Sequence, residues 1–242
     1  MLLHMLIISW YLCAEGIKPL VRHIRHHQQL VPYKEAYQLQ LMLQEEQMSS
    51  QGERNSLCGY LYSVQHPPVY TLGTSLKEAD LPLRPDVFDK ELVFDIHRSD
   101  RAGEATFHGP GQLVFYPILD LNYFNKDIHW YLRSLEAVII DSLLECNIIG
   151  GRIPGLTGVW VGNSKVAAMG IKLTRWVTLH GFSVNVNVDL RYFAQIVPCG
   201  ITDRRVGNMV EWNPTVTLDG VTEILEKHFC RTFGVDLRPY EP

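Results

Sequence analysis

At 242 residues, with 46% hydrophobic content and a formal net charge of −4, the chain can bury one sizeable core and is short enough to be one domain. The acidic balance, with no nucleic-acid-binding motif, argues against a nucleic-acid partner. Five cysteines with no CxxC pair and no Cys/His cluster at zinc spacing argue for a reducing compartment and against a structural metal.

Met1 to Cys13 is an apolar run, shorter than the about 20 residues that span a bilayer, and it lacks the positive start and small-residue cleavage site of a secretory signal. Arg22, Arg25, His23, His26 and His27 come next. Residues 1–29 therefore read as an N-terminal extension ahead of a single domain at 30–242: the remnant of an organelle-targeting leader, an extra strand or an unprocessed start. The HxxHH spacing lies in a basic, polar stretch and reads as solvated surface, with metal binding the lesser alternative.

From Pro32, the segment YKEAYQLQLMLQEEQ sets Tyr37, Leu39, Leu41, Met42 and Leu43 among charged and amide side chains, which predicts a helix of about fifteen residues. Three runs rich in aromatic and β-branched residues, CGYLYSV at 58–64, ELVFDIH at 91–97 and QLVFYPI at 112–118, predict strands. Asp127 is placed to cap a long helix ending near Cys146, with Trp130, Leu132, Leu135, Val138, Ile139 and Leu143 as its buried stripe. TGVWVG and KVAAMGIKL follow as two strands joined at Asn163 and Ser164, a two-residue hairpin. Thr217 begins the last helix and Gly234 ends it. Strands and helices mix without strict βαβ alternation, so the expected class is α+β with a mixed, largely antiparallel sheet.

Two segments carry candidate chemistry. In RAGEATFHGPGQ, Gly103, Gly109, Pro110 and Gly111 allow a loop whose backbone amides approach a ligand, with His108 inside it; a plain turn before a strand is the alternative. Farther on, Cys199 stands between Pro198 and Gly200, thirty-four residues beyond Lys165. A free thiol with a pKa of about 8.5 is mostly protonated at neutral pH, and a neighbouring cation lowers that pKa. A lysine within reach of Cys199 would also take the thiol proton and return it to a leaving group. An inert small hydrophobe is the other reading of a cysteine, and Cys13, Cys58, Cys146 and Cys230, set in apolar runs, read that way.

QHPPVYTLG at 65–73, RAGEATFHGPGQLVFYPI at 101–118, GLTGVWVGNSKVAAMGI at 155–171, and HGFSVNV at 180–186 followed by IVPCGI at 196–201 together resemble the signature blocks of the octanoyltransferases of lipoate biosynthesis, also called lipoyl(octanoyl) transferases. Four ordered blocks between about residue 30 and residue 212 are far more specific than one short motif. RIPGLTGVWV and DIHWYLRSLE are most similar to the branch in photosynthetic organisms. The resemblance implies a central sheet with packed helices and a smaller second sheet, the architecture of the catalytic modules of lipoate and biotin protein ligases. It implies that Cys199 and Lys165 are the catalytic pair, and that Arg101, Ala102, Gly103, Glu104, Ala105, Thr106, Phe107 and His108 line an acyl pocket with Ala168, Met169, Gly170, Gly181, Phe182 and Ser183. Two departures stand out: Ala102 replaces a usual glycine, where any positive φ would be penalised, and Ser183-Val184 replaces Ala-Leu.

The implied reaction moves an octanoyl group from octanoyl-acyl carrier protein, through a cysteine thioester, to a lysine of lipoyl-accepting domains, those of 2-oxoacid dehydrogenases and the glycine cleavage H protein. No cofactor or metal is implied, and the expected form is a monomer without membrane contact, cytoplasmic if bacterial and plastid or mitochondrial if eukaryotic. Residues 165–205 hold six Lys or Arg against two Asp, a basic rim suited to acidic carrier and lipoyl domains; an ordinary mixed-charge surface is the alternative. Rival readings are an ATP-dependent lipoate or biotin ligase, an octanoyl amidotransferase acting between protein domains, and a non-catalytic paralogue that binds carrier proteins.

Overall fold

The computed structural model describes residues 18–51, 57–76, 91–196 and 204–241. Its strands are β1 (Leu20–Leu30), β2 (Leu57–Gln65), β3 (Val69–Leu72), β4 (Asp95–Arg98), β5 (Ala105–His108), β6 (Gln112–Leu119), β7 (Gly151–Ile153), β8 (Leu156–Val161), β9 (Ser164–Thr174), β10 (Val177–Asn185), β11 (Arg205–Val206) and β12 (Asp236–Pro239). Helices are α1 (Tyr33–Ser49), α2 (Ile128–Glu145), the single turn α3 (Arg191–Ala194) and α4 (Leu218–Phe233). The main sheet runs β12-β1-β2-β6-β10-β9-β8-β7, with β11 added on β9, and a second sheet runs β4-β3-β5. From β2 to β7 every neighbouring pair is antiparallel, whereas β12, β1 and β2 are parallel to one another. The α+β class with a largely antiparallel sheet and a smaller second sheet is the observed one.

Alternation along the strands divides the core. Leu113, Phe115, Phe182 and Val184 pack against Leu135, Val138 and Ile139 of α2 and Leu225 and Phe229 of α4. On the opposite face Tyr60, Tyr62, Val114 and Tyr116 meet Ala36 and Leu43 of α1. A third cluster, with Tyr70, Leu72, Phe107, Phe193 and Ile196, joins the second sheet to α3. Helix ends follow local chemistry: Asp127 accepts from the His129 and Trp130 amides, Thr217 from Gly220, and Gly234 closes α4 at φ 66, a conformation that costs glycine nothing.

Four local expectations shift. The strand expected over 91–97 starts only at Asp95, because β3, its partner, offers just Val69 to Leu72. The β8–β9 hairpin turns at Gly162 and Asn163; Ser164 is already paired with Val161, and Gly162 takes the left-handed φ of 57. On α2, Tyr131 is fully buried while Trp130 and Leu132 are only partly so. β1, almost wholly within residues 1–29, is a strand of the main sheet, a kind of element among the alternatives for that segment, but its histidines are not solvated surface. His23 and His27 alternate on the side facing α4, His27 Nε2 being 3.0 Å from Asp219 and His23 Nδ1 3.7 Å from Glu226. Residues 1–17, including Cys13, lie outside the described residues. Among the described residues, no helix is long and apolar enough to cross a membrane.

Candidate active site

A cavity lies between the main sheet and the second sheet. Gln112, Val114 and Tyr116 of β6, Ala167 to Gly170 of β9 and His180 to Ser183 with Asn185 of β10 form one wall, and Gly103 to Thr106 with His108 the other. Lys165 opens onto it at the β11 end.

Lys165 is held there by backbone and by an absence of side chain. Its strand pairs in parallel with β11, Val206 opposite Lys165, and the Gly207 amide donates to the Lys165 carbonyl at 3.0 Å. Across the hairpin Gly158 has φ +127, and a Cβ on it would lie 2.6 Å from Lys165 Cε. The lysine stem therefore occupies room that only glycine leaves. The ammonium sits 5.5 Å from the Trp160 ring centroid, as does the Arg204 guanidinium. Cys199, with Pro198 and Gly200, lies outside the described residues; Phe193 on its N-terminal side and Val206 on its C-terminal side both line the cavity.

Arg101 is a fastener of its loop. Its Nε and Nη2 donate to Thr71 Oγ1, and Nη2 also reaches the Thr71 and Glu104 carbonyls at 2.6 and 2.7 Å. The Gly73 amide donates to the Glu104 carbonyl, and the Ala102 amide to Ile171 on β9 at 2.9 Å. Gly103 takes the positive φ, +95, and Ala102 does not, so alanine at that position carries no backbone penalty. A Cβ on Gly170 would meet the Ala102 carbonyl oxygen at 2.7 Å, which explains why β9 is bare where the loop crosses it.

Behind this loop runs a buried polar chain whose protons can be counted. Gln112 Nε2 donates to Phe107 O and to Asn185 Oδ1, so Gln112 Oε1 accepts from His108 Nδ1 at 2.7 Å. His108 Nε2 is then the acceptor facing Thr71 Oγ1 at 3.4 Å, and Asn185 Nδ2 donates to the Gly207 carbonyl at 3.2 Å. Nearby, His66 donates to the Val31 carbonyl and accepts from the Tyr116 hydroxyl at 2.8 Å. Both rings are neutral by this accounting, and burial pushes the His108 pKa down to about 3 and that of His66 to about 4.

At the other end, Asp100 accepts from Lys172 Nζ at 2.6 Å, Tyr37 Oη at 2.8 Å and His180 Nε2 at 2.7 Å. Burial alone would raise the Asp100 pKa; these three donors outweigh it and hold the carboxyl at about 2. Burial lowers the pKa of His180.

Of the residues expected at the site, Lys165, Arg101, Gly103, Glu104, Ala105, Thr106, His108, Ala168, Met169, Gly170, Gly181, Phe182 and Ser183 border the one cavity. Ala102 borders an adjoining outer groove instead. Phe107 alternates away from the cavity, its ring stacked on Tyr192 at 4.4 Å, and the Phe182 ring stacks on Phe115 at 5.2 Å in the main core. Tyr33, Gln112, Tyr116, His180 and Asn185 join the wall without having been expected there. For Gln112 and Asn185 the signal was present, as polar side chains at alternate positions of otherwise apolar strands. The basic rim is less basic than its sequence count, since Lys172, Arg191 and Arg205 pair with Asp100, Asp189 and Glu211.

The family model described as the lipoyl protein ligase A/B catalytic domain matches residues 33–230. A protein of Nostoc punctiforme named octanoyltransferase is 45% identical over 217 residues, 90% of this chain and 91% of that one. Another octanoyltransferase, from Synechococcus elongatus, is 49% identical over 179 residues, 74% and 75% of the two chains. Among solved structures, lipoate-protein ligase A bound with ATP aligns with a TM-score of 0.70 at 17% identity, covering 93% of this chain and 89% of that one. The bi-partite lipoate protein ligase of Thermoplasma acidophilum aligns at 0.67 and 19%, covering 92% and 86%; at these identities the likeness is one of fold.

Proposed function

The chain belongs to the lipoyl protein ligase A/B catalytic family, in its octanoyltransferase branch, and from that membership we propose that Cys199 and Lys165 carry its octanoyl transfer through an enzyme thioester. The donor in this reading is octanoyl-acyl carrier protein. Lys165 Nζ takes the thiol proton of Cys199, and the thiolate attacks the thioester carbonyl. The carbon–sulfur bond to the carrier breaks, and the departing thiolate recovers the proton from Lys165. An ε-amino group of a lipoyl domain then attacks the enzyme thioester, forming an amide and releasing the cysteine. A thioester is less stable than an amide, so this step runs downhill without ATP.

Supporting the reading is one observation above the rest. Lys165, the glycine loop before His108, and Phe193 and Val206, which flank the segment bearing Cys199, all border a single cavity. Ala167, Ala168, Met169 and Val114 supply apolar surface for an acyl chain, each buried methylene contributing about 0.8 kcal/mol. Lipoyl domains are the acceptor class; those of 2-oxoacid dehydrogenases and the glycine cleavage H protein are the acceptors we propose. Lys165 and Arg204 over Trp160 give the mouth a positive edge for acidic partners.

Intact-mass measurement after mixing with octanoyl-acyl carrier protein tests this. A single octanoyl adduct mapping to Cys199 is expected; Cys199→Ala loses adduct and product, and Cys146→Ala keeps both. Transfer retained by the Cys199→Ala enzyme would overturn the covalent route.

A further inference from the structure

The β8–β9 ladder stops before either strand does. Val161, Trp160 and Val159 pair with Ser164, Lys165 and Ala167, yet β8 begins at Leu156 and β9 continues to Thr174. Gly158 stands at the fork with φ +127, and its amide donates to Glu136 Oε1 of α2 at 3.4 Å. Glu136 is buried and fixed by Arg133 and Arg152, each at 2.6 Å. Farther along β9, the Ile171 carbonyl accepts from the Ala102 amide. Beside the fork lies the outer groove, about 360 Å³ in volume, bordered by Leu156 and Thr157 of β8, Met169 and Ile171 of β9, and Ile128 and Leu132 of α2.

This groove joins the acyl cavity. Lys165, Glu104, Gly103, Met169 and Gly170 border both, so the amine stands where the two meet. A thioester carries two chains on its reacting carbonyl, the acyl chain and the chain that bears the thiol, and they leave the carbonyl carbon in different directions. An acyl carrier protein bears its thiol on a phosphopantetheine arm, neutral as far as its phosphate and made of methylenes, two methyl groups and two amides. The groove matches that chemistry. Its side chains Ile128, Leu132, Leu156 and Ile171 are apolar, and its charged lining among the described residues is Lys165 and Glu104, both at the junction. Ser75 and Thr157 also line it, and neither hydroxyl has a hydrogen-bond partner among the described residues, which leaves them for the amides. Lys165 and Ile171 lie six positions apart on β9, about 20 Å at the rise of a strand, against about 16 Å for an extended pantetheine arm and about 6 Å for a lysine side chain. An acceptor lysine would also bring an ammonium along apolar walls, where an unpaired charge is costly. A neutral arm avoids that cost.

We propose that the groove at the β8–β9 fork seats the phosphopantetheine arm of the acyl donor, so that acyl chain and arm reach Lys165 from two chambers. The inference rests on the octanoyl-transfer reading above and adds the subsite for the donor's thiol arm. Leu156, Thr157 and Ile128 are binding residues in this scheme and take no part in the proton transfer.

The experiment compares two donors with the same acyl group, octanoyl-pantetheine and octanoyl-N-acetylcysteamine, which lacks most of the arm. The readout is the ratio of their single-turnover kcat/KM values within one protein, so loss of folded protein cancels. In the wild type, pantetheine is expected to be favoured by about tenfold or more, the worth of one well-buried apolar contact. Thr157→Trp fills the groove and Leu156→Ala strips one wall; both are expected to pull the ratio toward one while the short donor keeps its rate. A wild-type ratio near one, an unchanged ratio in both variants, or an equal fall for both donors overturns the proposal. So does a raised KM for the lipoyl-domain acceptor with the donor ratio intact, which would give the groove to the acceptor lysine. Failure of the wild type to accept any octanoyl thioester would count against the donor assignment instead. The groove is then judged by calorimetric titration with pantetheine, where equal affinities in wild type and Thr157→Trp overturn the proposal and a loss in the variant supports it.

Discussion

Lys165 owes its position to what Gly158 lacks. The residue opposite Lys165 on β8 is Trp160, and Gly158 lies two positions before it, where a methyl group would come within 2.6 Å of Lys165 Cε and 2.7 Å of the Ala167 carbonyl oxygen. Gly158→Ala, at φ +127, should cost about 1–3 kcal/mol of stability through backbone strain and displace the lysine. Single-turnover acylation is expected to slow by about tenfold or more. Urea unfolding and acylation together check this, and wild-type acylation in a destabilised variant would show that the stem of Lys165 simply moves aside.

If Lys165 is the proton acceptor proposed above, Lys165→Ala removes that acceptor and a cation together, so acylation should slow by roughly 10² or more and the thiol should ionise at higher pH. Lys165→Arg should restore little, because a guanidinium keeps the charge but does not give up its proton. The readout is the pH dependence of Cys199 alkylation beside single-turnover acylation. Near-normal rates with arginine would reduce the lysine to a fixed charge.

Gln112 joins three orphans-in-waiting, the His108 Nδ1 proton, the Asn185 side-chain carbonyl and the Phe107 carbonyl. Gln112→Leu removes a partner from all three, at about 1–3 kcal/mol each, so a stability loss of roughly 3–9 kcal/mol is expected in denaturant unfolding. Gln112→Glu is expected to do less harm on the His108 side, since it still accepts there. A Leu variant as stable as wild type would mean that the chain of contacts is dispensable.

Stability should also fall in mild acid. His66 and His108 are neutral when folded, with pKa values near 4 and 3, against about 6.5 in the unfolded chain. Below pH 6.5 the unfolded state binds protons that the folded state refuses, so unfolding free energy drops as pH falls toward 4. Between pH 6.5 and pH 5 the loss is roughly 2 kcal/mol per histidine. The Asp100 carboxyl acts with the same sign at lower pH: held near 2 against about 3.9 in the unfolded chain, its contribution is complete above about pH 4 and is lost as pH falls toward 2. Denaturant midpoints at pH 7, 6 and 5 check the histidine term, and His66→Gln should flatten the slope by about half.

Local chemistry made much of the fold legible. The caps Asp127, Thr217 and Gly234 act through hydrogen bonds or a φ angle within three or four residues, so the positions of α2 and α4 could be read directly. The glycine loop before His108 and the Lys165 strand were legible because glycine and lysine at those places serve the backbone and the cavity and little else. β1 was not. Its charged and histidine residues find partners on α4, about 200 positions away in the chain, and no local pattern records that Glu226 and Asp219 will face them.

Phe107 and Phe182 mark the same boundary from inside the motif. Both stand among pocket residues in the sequence, and both point elsewhere because strand alternation turns every second side chain to the opposite face. His180 departs from the alternation in the other direction, turned into the cavity by a backbone inversion that Asp100, Tyr37 and Gln40 sustain from two other segments. What the amino-acid sequence determined alone was the chemistry available and the elements whose signals are local: a thiol, an amine, a glycine-rich loop, capped helices. Which side chains share the cavity, which acids neutralise the basic rim and where the cavity ends were decided by tertiary structure, because burial and pairing between distant strands set the cost of every charge and every φ angle there.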